Sequence, residues 1–280
     1  MSTLPPLLYE DVVRGALRED LGLAGDLTTD AIVPPGLRAE ALLVARAAGR
    51  VSGLEPALLA FRLLDPAVEC DVRVAAGFDA AAGTTLAVLR GHARALLTAE
   101  RTALNLLGRL SGIATVTASV VRSLEGLPTR VVCTRKTTPG LRALEKEAVR
   151  HGGGFNHRFG LDDAVLVKDN HRAIAGGVSE AVGRVRRHVG HMVKIEVEVD
   201  TLAELQEALS AGVDAVLLDN MPPAALRAAV LVVGGRALTE ASGGVTPANA
   251  REIAETGVDL LSIGWLTHSA PSLDVALDVV

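Results

Sequence analysis

The sequence predicts an α/β protein in which a small N-terminal α+β domain precedes an incomplete parallel β/α barrel. Three observations support this fold class. Short β-like runs between residues 39 and 98 are interrupted by glycine and aspartate, and after Arg130 apolar runs alternate with helical segments. The chain also has 280 residues, 49% of them hydrophobic, which is enough to form one large domain or two smaller ones.

The N-terminal domain is predicted to contain three β-like runs and two helices. The runs are AEALLVARAAG, VECDVRV and TLAVLRGHARALL, at residues 39–49, 68–74 and 85–97. Helical periodicity covers residues 54–64 and, as one long helix, residues 100–124. We place this domain at residues 1–108, joined by 267–280, and the barrel domain at residues 109–266.

The barrel domain repeats the order strand, loop, helix. Its apolar runs are RVVCTRK, AVLVKDN, VKIEVEVD, AVLLDN, ALTEASGG and LLSIGW, and the helical segments between them include residues 202–211 and 247–256. This alternation is typical of a parallel sheet with helical crossovers. The stretch is short for a complete eight-stranded barrel, so we expect fewer strands.

Charge and cysteine content argue against several classes of protein. A net charge of -5 and a pI near 5.8 give no general attraction to nucleic acid or anionic lipid, so neither is expected as a partner. The N-terminal segment lacks the pattern of a signal peptide and no apolar run reaches the roughly 20 residues of a membrane span, so we expect a cytoplasmic protein. Cys70 and Cys133 have no metal-site spacing and are expected to be buried free thiols.

Polar residues and glycines follow each predicted barrel strand. In β/α barrels the carboxyl ends of the strands and the loops after them form the active site, so these residues are expected to converge. Within VKIEVEVD the two-residue period of a strand places Lys194, Glu196, Glu198 and Asp200 on one face. Charges inside a barrel are costly unless they meet cations, a substrate or a metal. A solvated edge strand is the alternative explanation.

The segments EASGG and SIGW follow the last two predicted strands. Glycines at these positions let backbone N–H groups approach a ligand closely, as in the phosphate-binding loops of such barrels. Ser242, Gly243 and Gly244 are the candidates on the first loop. Taken alone, the motif is explained equally well by ordinary turn glycines.

A cationic group is predicted at the same edge of the barrel. Its members end two strands or lie in the glycine-rich segment GGGFNHR, and they are Thr134, Arg135, Lys136, Asn156, His157, Arg158 and Lys168. Because arginine binds carboxylate or phosphate through two parallel hydrogen bonds, we expect a small ligand with several negative charges. By contrast, Arg142, Lys146 and Arg150 have helical spacing and are predicted to lie on a solvated or inter-subunit face.

Together these motifs resemble the quinolinate phosphoribosyltransferase family. The similarity is carried by TRKTTPGLRALEKEAVRHGGGFNHRFGLDDAVLVKDNH, EVEVDT, LLDN, EASGG and GWLTHSAP, and it extends to EDLGLAGDLTT and AERTALNLLGRLSGIAT. It therefore covers nearly the whole chain. The resemblance implies transfer of the 5-phosphoribosyl group of PRPP to the ring nitrogen of quinolinate. The 2-carboxylate leaves as carbon dioxide, nicotinate mononucleotide and pyrophosphate are formed, and Mg²⁺ is the cofactor.

The resemblance also implies roles for individual residues. The two quinolinate carboxylates would be held by Arg135, His157, Arg158 and Lys168, with Thr134 and Lys136 beside them. Glu198 and Asp219 would lie near the ribose and Mg²⁺, which they would contact directly or through water. The residues expected at the phosphate-binding loops are Ser242, Gly243, Gly244, Ile263, Gly264 and Trp265. Arg101 would complete the site of a neighbouring subunit, which implies a homodimer or larger homo-oligomer with shared active sites.

Catalytic roles are assigned to Lys136, Lys168, Glu198 and Asp219. Lys136, Lys168 or water would protonate C2 after decarboxylation. The chain departs from the family pattern at His151, where cysteine is frequent, and at Trp265, which is bulkier than the expected alanine or methionine.

Two alternative functions are weighed against this one. The first is a paralogue of the same fold encoded beside molybdate transporters, which would be expected to lose the NHR and TRK motifs. The second is a non-catalytic sensor of PRPP or pyridine carboxylates, which would be expected to lose Glu198 and Asp219. Both motifs and both acids are present in this sequence.

Overall fold

The computed structural model describes residues 4–280, which form two compact units. Among these residues, unit 1 comprises 4–118, Thr137–Gly153 and Leu266–Val280, and unit 2 comprises Ser119–Lys136 and Gly154–Trp265. Unit 1 contains a small antiparallel sheet, and unit 2 contains a six-stranded parallel sheet with helices, so the predicted fold class is confirmed. This division assigns residues 137–153 to unit 1, whereas our proposed boundaries at 108/109 and 266/267 stay a prediction.

The elements follow one another along the chain after a 3₁₀ turn at Pro6–Leu8. In chain order they are α1 (Glu10–Leu21), α2 (Leu27–Ile32), β1 (Arg38–Ala45), β2 (Gly49–Arg50), α3 (Leu54–Leu64), β3 (Glu69–Val72), β4 (Asp79–Ala80), β5 (Thr85–His92), α4 (Ala93–Ser123), β6 (Arg130–Val132), α5 (Arg142–His151), β7 (Val165–Val167), α6 (Asp169–Ala175), α7 (Val178–His188), β8 (Ile195–Val199), α8 (Leu202–Ser210), β9 (Ala215–Asp219), α9 (Pro223–Val233), β10 (Leu238–Ser242), α10 (Ala250–Ala254), β11 (Leu260–Ser262), α11 (Trp265–His268) and β12 (Val275–Val279).

The main sheet of unit 1 has the order β12–β1–β5–β3, and its neighbouring strands are antiparallel. The predicted helix at residues 54–64 is α3. Helix α4 begins at Ala93, so the prediction of a β-like run through residue 97 is wrong at its end. The physical reason is that Ala93, Leu96, Ala99 and Ala103 are buried at helical spacing, which defines an apolar helix face.

Helix α4 has 31 residues and is the one described helix that is long and apolar enough to cross a membrane by length and composition. Within the structure, 67% of its most apolar window is buried. One glycine of this helix is required by packing, because a Cβ at Gly112 would overlap the carbonyl oxygen of Pro271. The apolar character of α4 therefore serves the core of the protein.

Helix α5 carries a buried ionic cluster. Glu145 is fully buried and accepts hydrogen bonds from Arg109 (Nε–Oε1 3.2 Å, Nη2–Oε1 3.1 Å) and from Thr138 (N–Oε2 3.0 Å). Lys146 is also buried, with 1% of its surface exposed. The prediction that Lys146 lies on a solvated or inter-subunit face is therefore wrong. Helical spacing shows which residues share a face, but it does not show which face is packed.

The parallel sheet of unit 2 has the order β6–β11–β10–β9–β8–β7. A single parallel bridge between Val132 and Phe155 extends it by one residue beyond β6. All six predicted barrel runs contain strands, although the strands are shorter than the runs. The predicted helix at residues 202–211 is α8. The helix predicted at 247–256 is shorter than expected, because α10 has only five residues, Ala250–Ala254.

Candidate active site

Unit 2 places most of the predicted site residues at the carboxyl ends of its strands. Thr134, Arg135 and Lys136 follow β6, Lys168 follows β7, Glu198 lies in β8, Asp219 ends β9, Ser242 ends β10, and Ile263 follows β11. Because the six strands are parallel, these ends share one edge of the sheet. Residues that are far apart along the chain therefore lie close to one another at this edge.

Strand β8 provides two buried carboxylates. Glu196 and Glu198 alternate along this strand and are 8% and 9% exposed. The prediction that Lys194 and Asp200 share their inward position is wrong, because both lie outside the strand and are exposed. The solvated edge strand is also ruled out, since β8 pairs with β7 and β9 and all five of its residues are buried.

Lys168 and Glu198 form an ion pair between neighbouring strand ends. Lys168 Nζ lies 3.4 Å from Glu198 Oε2, and the lysine side chain is half exposed whereas the carboxylate is largely buried. The lysine backbone N–H donates to His171 Nδ1 at 2.9 Å at the start of α6, which fixes the residue at the helix N-cap. The ammonium group thus contacts a largely buried carboxylate while remaining accessible to a ligand.

Two arginines form a cationic site with an unsatisfied donor. Arg135 Nε is buried and has no hydrogen-bond partner among the described residues. The Arg158 side chain donates from Nη1 to the Ala164 carbonyl oxygen at 3.0 Å. Burial lowers the pKa of Arg158 below its ordinary value, and the neighbouring charge of Arg135 lowers it further. Two adjacent guanidinium groups with an unpaired buried N–H are an arrangement that an anionic ligand would stabilise.

His157 belongs to the NHR loop, which comprises residues 156–158, and its ring faces two buried glutamates. Its Nε2 is 3.0 Å from Glu196 Oε2 and 3.5 Å from Glu240 Oε1, and its Nδ1 accepts a hydrogen bond from the Arg158 backbone N–H at 2.8 Å. Burial raises the pKa of Glu240 from 4.5 to about 7, and the charge of Glu196 acts in the same direction while His157 opposes it. One oxygen of each carboxyl group, Oε1, lacks a hydrogen-bond partner among the described residues.

The loop after β10 is held against the loop after β9. Asn220 has φ 52°, donates its backbone N–H to the Ser242 carbonyl oxygen at 2.9 Å, and donates from Nδ2 to Asp219 Oδ2 at 2.6 Å. Gly243 has φ 88°, and a Cβ there would overlap the Asn220 side-chain amide. Gly244 also has a positive φ, of 62°. Gly243 is therefore required by the backbone and by packing, independently of any ligand.

The remaining predicted residues have diverse settings. Ile263 is fully buried and donates its backbone N–H to the Val132 carbonyl oxygen at 3.0 Å, so this N–H is used within the sheet. Trp265 is partly buried and Lys136 is exposed. Arg101 is an exposed residue of α4 within unit 1, whereas the other predicted site residues belong to unit 2.

Sequence reasoning placed Glu196 on the inward face of its strand and Asn220 at a strand end, but it gave neither a role in the site and did not single out Glu240. Glu240 could have been found from its place two residues before Ser242 on β10, which is the next strand but one from β8. Asn220 follows Asp219 directly, and asparagine is one of the few residues that readily adopt a positive φ. The pairing of Glu196 and Glu240 with His157 required the three-dimensional structure.

Comparison with known proteins identifies the family. The family model of the quinolinate phosphoribosyl transferase N-terminal domain matches residues 26–111, and that of the C-terminal domain matches residues 113–278. The chain belongs to the quinolinate phosphoribosyltransferase family. The resemblance that the motifs indicated is thus confirmed over nearly the full length.

Relatives of this family are similar over most of their length. The chain is 46% identical to a probable nicotinate-nucleotide pyrophosphorylase [carboxylating] of Bacillus subtilis over 261 residues, which is 93% of this chain and 90% of the relative. It is 44% identical to the nicotinate-nucleotide pyrophosphorylase [carboxylating] of Mycobacterium leprae, covering 96% of each chain. The crystal structure of NadC from Streptococcus pyogenes superimposes with a TM-score of 0.95 at 39% identity, covering 100% of both chains.

Proposed function

We propose that this chain is a carboxylating nicotinate-nucleotide diphosphorylase of de novo NAD biosynthesis. It transfers the 5-phosphoribosyl group of PRPP to the ring nitrogen of quinolinate and releases pyrophosphate and carbon dioxide, giving nicotinate mononucleotide. Family membership and the names of full-length relatives support the reaction. The observation in the structure that carries the proposal is the buried Arg135 Nε, which has no hydrogen-bond partner among the described residues and lies near the charge of Arg158.

The cationic site matches the charge of quinolinate, which carries two adjacent carboxylates. Arg135 and Arg158 supply planar donor groups, and the half-exposed Lys168 adds a compact charge. These groups gain hydrogen bonds when the dianion binds, because Arg135 Nε has none within the described residues. The ring is thereby oriented with its nitrogen toward the ribose, which is the main requirement of the transfer.

The first bond to break joins C1 of the ribose to the pyrophosphate oxygen. The sugar becomes electron-poor in the transition state, and the carboxylates of Glu198 and Asp219 would stabilise that positive charge. The ring nitrogen then bonds to C1 and becomes a pyridinium. This ring withdraws the electron pair that remains at C2 when carbon dioxide leaves, and a proton from Lys136, Lys168 or water completes the reaction. The substrate therefore supplies its own electron sink.

Glu198 and Asp219 also have the chemistry of a magnesium site. Carboxylate oxygens are the protein ligands that Mg²⁺ prefers, and the ion usually keeps several waters and binds substrate phosphates as well. Asp219 is partly exposed at the end of β9, and its Oδ2 already accepts from Asn220. We expect these two residues to hold the ion directly or through water. Bound there, Mg²⁺ would neutralise the charge of the departing pyrophosphate.

Backbone N–H groups of Ser242, Gly243 and Gly244 would bind the 5-phosphate, with Gly264 and Trp265 on the neighbouring loop. The two glycines support this, because without a Cβ their backbone N–H groups can approach a ligand closely, and both adopt the positive φ that glycine tolerates. Ile263 would shape the loop from the core, since its N–H is already donated to Val132.

A shared active site is proposed for the assembled enzyme, which would be a cytoplasmic homodimer or larger homo-oligomer. Arg101 would complete the site of a neighbouring subunit, consistent with its exposure on α4. Arg101→Ala and Arg158→Ala should each be nearly inactive, but mixing the two should restore activity approaching about a quarter of wild type, because half the dimers are then hybrids with one intact site. No recovery in confirmed hybrid dimers would place Arg101 outside a shared site.

The reaction is tested with purified protein, quinolinate, PRPP and Mg²⁺, followed by chromatographic detection of nicotinate mononucleotide. We expect product with quinolinate and much slower turnover of nicotinate, which lacks the carboxylate that these cations would pair with. Quinolinate binding without turnover would indicate the sensor alternative. Absence of both binding and turnover would favour the molybdate-associated paralogue and contradict the proposal.

A further inference from the structure

We propose that His157 is a positioning residue that places Arg158, and that Glu196 and Glu240 anchor it from the sheet. The inference rests on the proposed function, because its purpose is to orient the guanidinium that binds a quinolinate carboxylate. It differs from the role implied by family resemblance, in which His157 itself holds a substrate carboxylate.

The tautomer of His157 follows from its two hydrogen bonds. The Arg158 backbone N–H can only donate, and it donates to His157 Nδ1 at 2.8 Å. Nδ1 therefore carries a lone pair, and the ring proton of the neutral imidazole is on Nε2. This Nε2–H points to Glu196 Oε2 at 3.0 Å, with Glu240 Oε1 at 3.5 Å. Both ring nitrogens are thus engaged within the protein.

The two hydrogen bonds connect the NHR loop to the sheet. Glu196 lies on β8 and Glu240 on β10, and both are buried, so the histidine is anchored to two rigid strands. The loop leaves the sheet after the bridge at Phe155, and His157 fixes it again two residues later. Because the ring accepts from the Arg158 amide, the backbone from which the Arg158 side chain extends is held in place. The contact of Arg158 with the Ala164 carbonyl oxygen then sets the direction of the guanidinium.

A metal site is the competing explanation of this cluster. One ligand atom each from His157, Glu196 and Glu240 lies within 4.8 Å of the others, and all three side chains are largely buried. A metal bound by Nε2 would need the lone pair at Nε2 and the proton at Nδ1, where it is normally donated to an acceptor. Here Nδ1 accepts instead of donating. The observed hydrogen bonds therefore favour a histidine that donates to carboxylate over one that ligates a metal.

A double-mutant cycle on quinolinate binding tests the positioning role. Calorimetric titration of quinolinate without PRPP or Mg²⁺ would be performed on wild type, His157→Ala, Arg158→Ala and the double variant. If His157 acts only through Arg158, His157→Ala should weaken binding by about tenfold in wild type but by less than about twofold once Arg158 is removed. Equal losses in both backgrounds would show that His157 contacts the ligand independently and would overturn the proposal.

Substitutions of Glu196 provide the matched controls. Glu196→Gln retains an acceptor oxygen for Nε2–H and should bind quinolinate within about threefold of wild type. Glu196→Leu replaces the carboxylate by a branched apolar side chain without an acceptor and should weaken binding as His157→Ala does. Wild-type affinity in a folded Glu196→Leu variant, verified by circular dichroism, would contradict the anchoring role.

A spectroscopic measurement on the wild-type protein covers the case in which these variants do not fold. In ¹⁵N-labelled protein near neutral pH, one histidine should be present as the neutral Nε2–H tautomer and be assigned to His157 by its contact with the Arg158 amide. Its signals should not change with EDTA, Mn²⁺ or Zn²⁺. An Nδ1–H tautomer, an imidazolium or a metal-dependent shift would overturn the proposal. This result is independent of quinolinate turnover, so failure of the proposed function would be recognised separately.

Discussion

The two units treat their buried charged groups in opposite ways. In unit 1 the fully buried Glu145 accepts hydrogen bonds from Arg109 and Thr138, and Arg109 also donates to the carbonyl oxygens of Thr267 and Ala270. His151, which is 4% exposed, has its Nδ1 2.8 Å from the Ser52 hydroxyl. Burial lowers the pKa of His151, which favours the neutral ring in this setting.

In unit 2 several buried polar atoms lack partners. The buried side-chain atoms without a hydrogen bond among the described residues are Arg135 Nε, Arg172 Nε, Glu196 Oε1 and Glu240 Oε1, and all four belong to this unit. A buried polar group without a partner costs free energy, so fold stability alone would not retain it. The comparison indicates that unit 1 uses its buried charges for stability, whereas unit 2 keeps part of its hydrogen-bonding capacity for ligands and site geometry.

The largest effect on stability should come from disrupting the buried ionic cluster around Glu145 in unit 1. Glu145→Ala leaves the Arg109 guanidinium without its carboxylate and should lower the free energy of unfolding by about 3–5 kcal/mol, as is usual when one partner of a buried ion pair is removed. Urea unfolding followed by far-UV circular dichroism measures this. The exposed Glu252→Gln is the control and should change stability little. A loss below about 1 kcal/mol for Glu145→Ala would show that this cluster is not stabilising.

Removing Arg135 from unit 2 should instead impair activity without lowering stability. Arg135→Ala should lower kcat/KM for quinolinate by about 100-fold, or about 3 kcal/mol, because a buried charge-assisted contact with the substrate is lost. Its unfolding free energy should be unchanged or higher, because Arg135 Nε has no hydrogen-bond partner in the described part of the chain and its charge is close to that of Arg158. Arg135→Lys keeps the charge without the planar donor group and should have intermediate activity. A strong loss of stability with normal kcat/KM would show that Arg135 serves the fold and not the ligand, and would contradict the contrast between the two units.

The buried carboxyl of Glu240 should make stability depend on pH. Glu240 faces Glu196 of β8, His157 of the NHR loop and Ser262 of β11, and its pKa is raised from 4.5 to about 7. The folded state therefore binds a proton that the unfolded state has released, so this group lowers stability as pH rises from about 4.5 to 7. The loss of unfolding free energy caused by this group has its full size above about pH 7 and is absent below about pH 4.5.

Glu240→Gln should remove this dependence. The variant should match wild type near pH 4 and be more stable by up to about 3 kcal/mol near pH 8, a value that follows from the size of the pKa change. Urea unfolding across this pH range measures the difference, again with Glu252→Gln as the exposed control. A constant difference between wild type and variant at all pH values would show that Glu240 does not titrate between its folded and unfolded pKa values.

Much of the site could be predicted because strand ends and residue types are local properties. The row from Arg135 to Ser242 follows from five apolar runs that each end in polar residues or glycines. Partner choice could not be predicted in this way. The burial of Lys146 depends on which helix face is packed, and the contact of His157 with Glu196 and Glu240 joins residues 39 and 83 positions apart along the chain. Sequence periodicity contains no information about such pairings.

The smallest predicted effect concerns the contact between the loops after β9 and β10. Asn220→Gly removes the amide that Gly243 packs against, but it also relieves a left-handed conformation that costs asparagine up to about 1 kcal/mol relative to glycine, so its own effect on stability should be small. Gly243→Ala should be clearly destabilising, because its Cβ overlaps the Asn220 side chain and its φ is positive.

Combining the two substitutions isolates this packing contact. In the Asn220→Gly background the overlap with the side-chain amide is gone, whereas the close approach to the backbone nitrogen of residue 220 (2.9 Å) and the backbone strain remain. Gly243→Ala should therefore cost about 1 kcal/mol less than in wild type. The cycle is measured by urea unfolding. Gly244→Ala serves as the control that should be additive with Asn220→Gly, because Gly244 has a positive φ of 62° but open space where a Cβ would lie. Additivity for Gly243→Ala as well would mean that only backbone strain requires glycine at this position. A coupling confined to Gly243 would instead establish that the amide of Asn220 and the glycine loop are one packed unit, held together beside the carboxylate of Asp219 to which Asn220 donates.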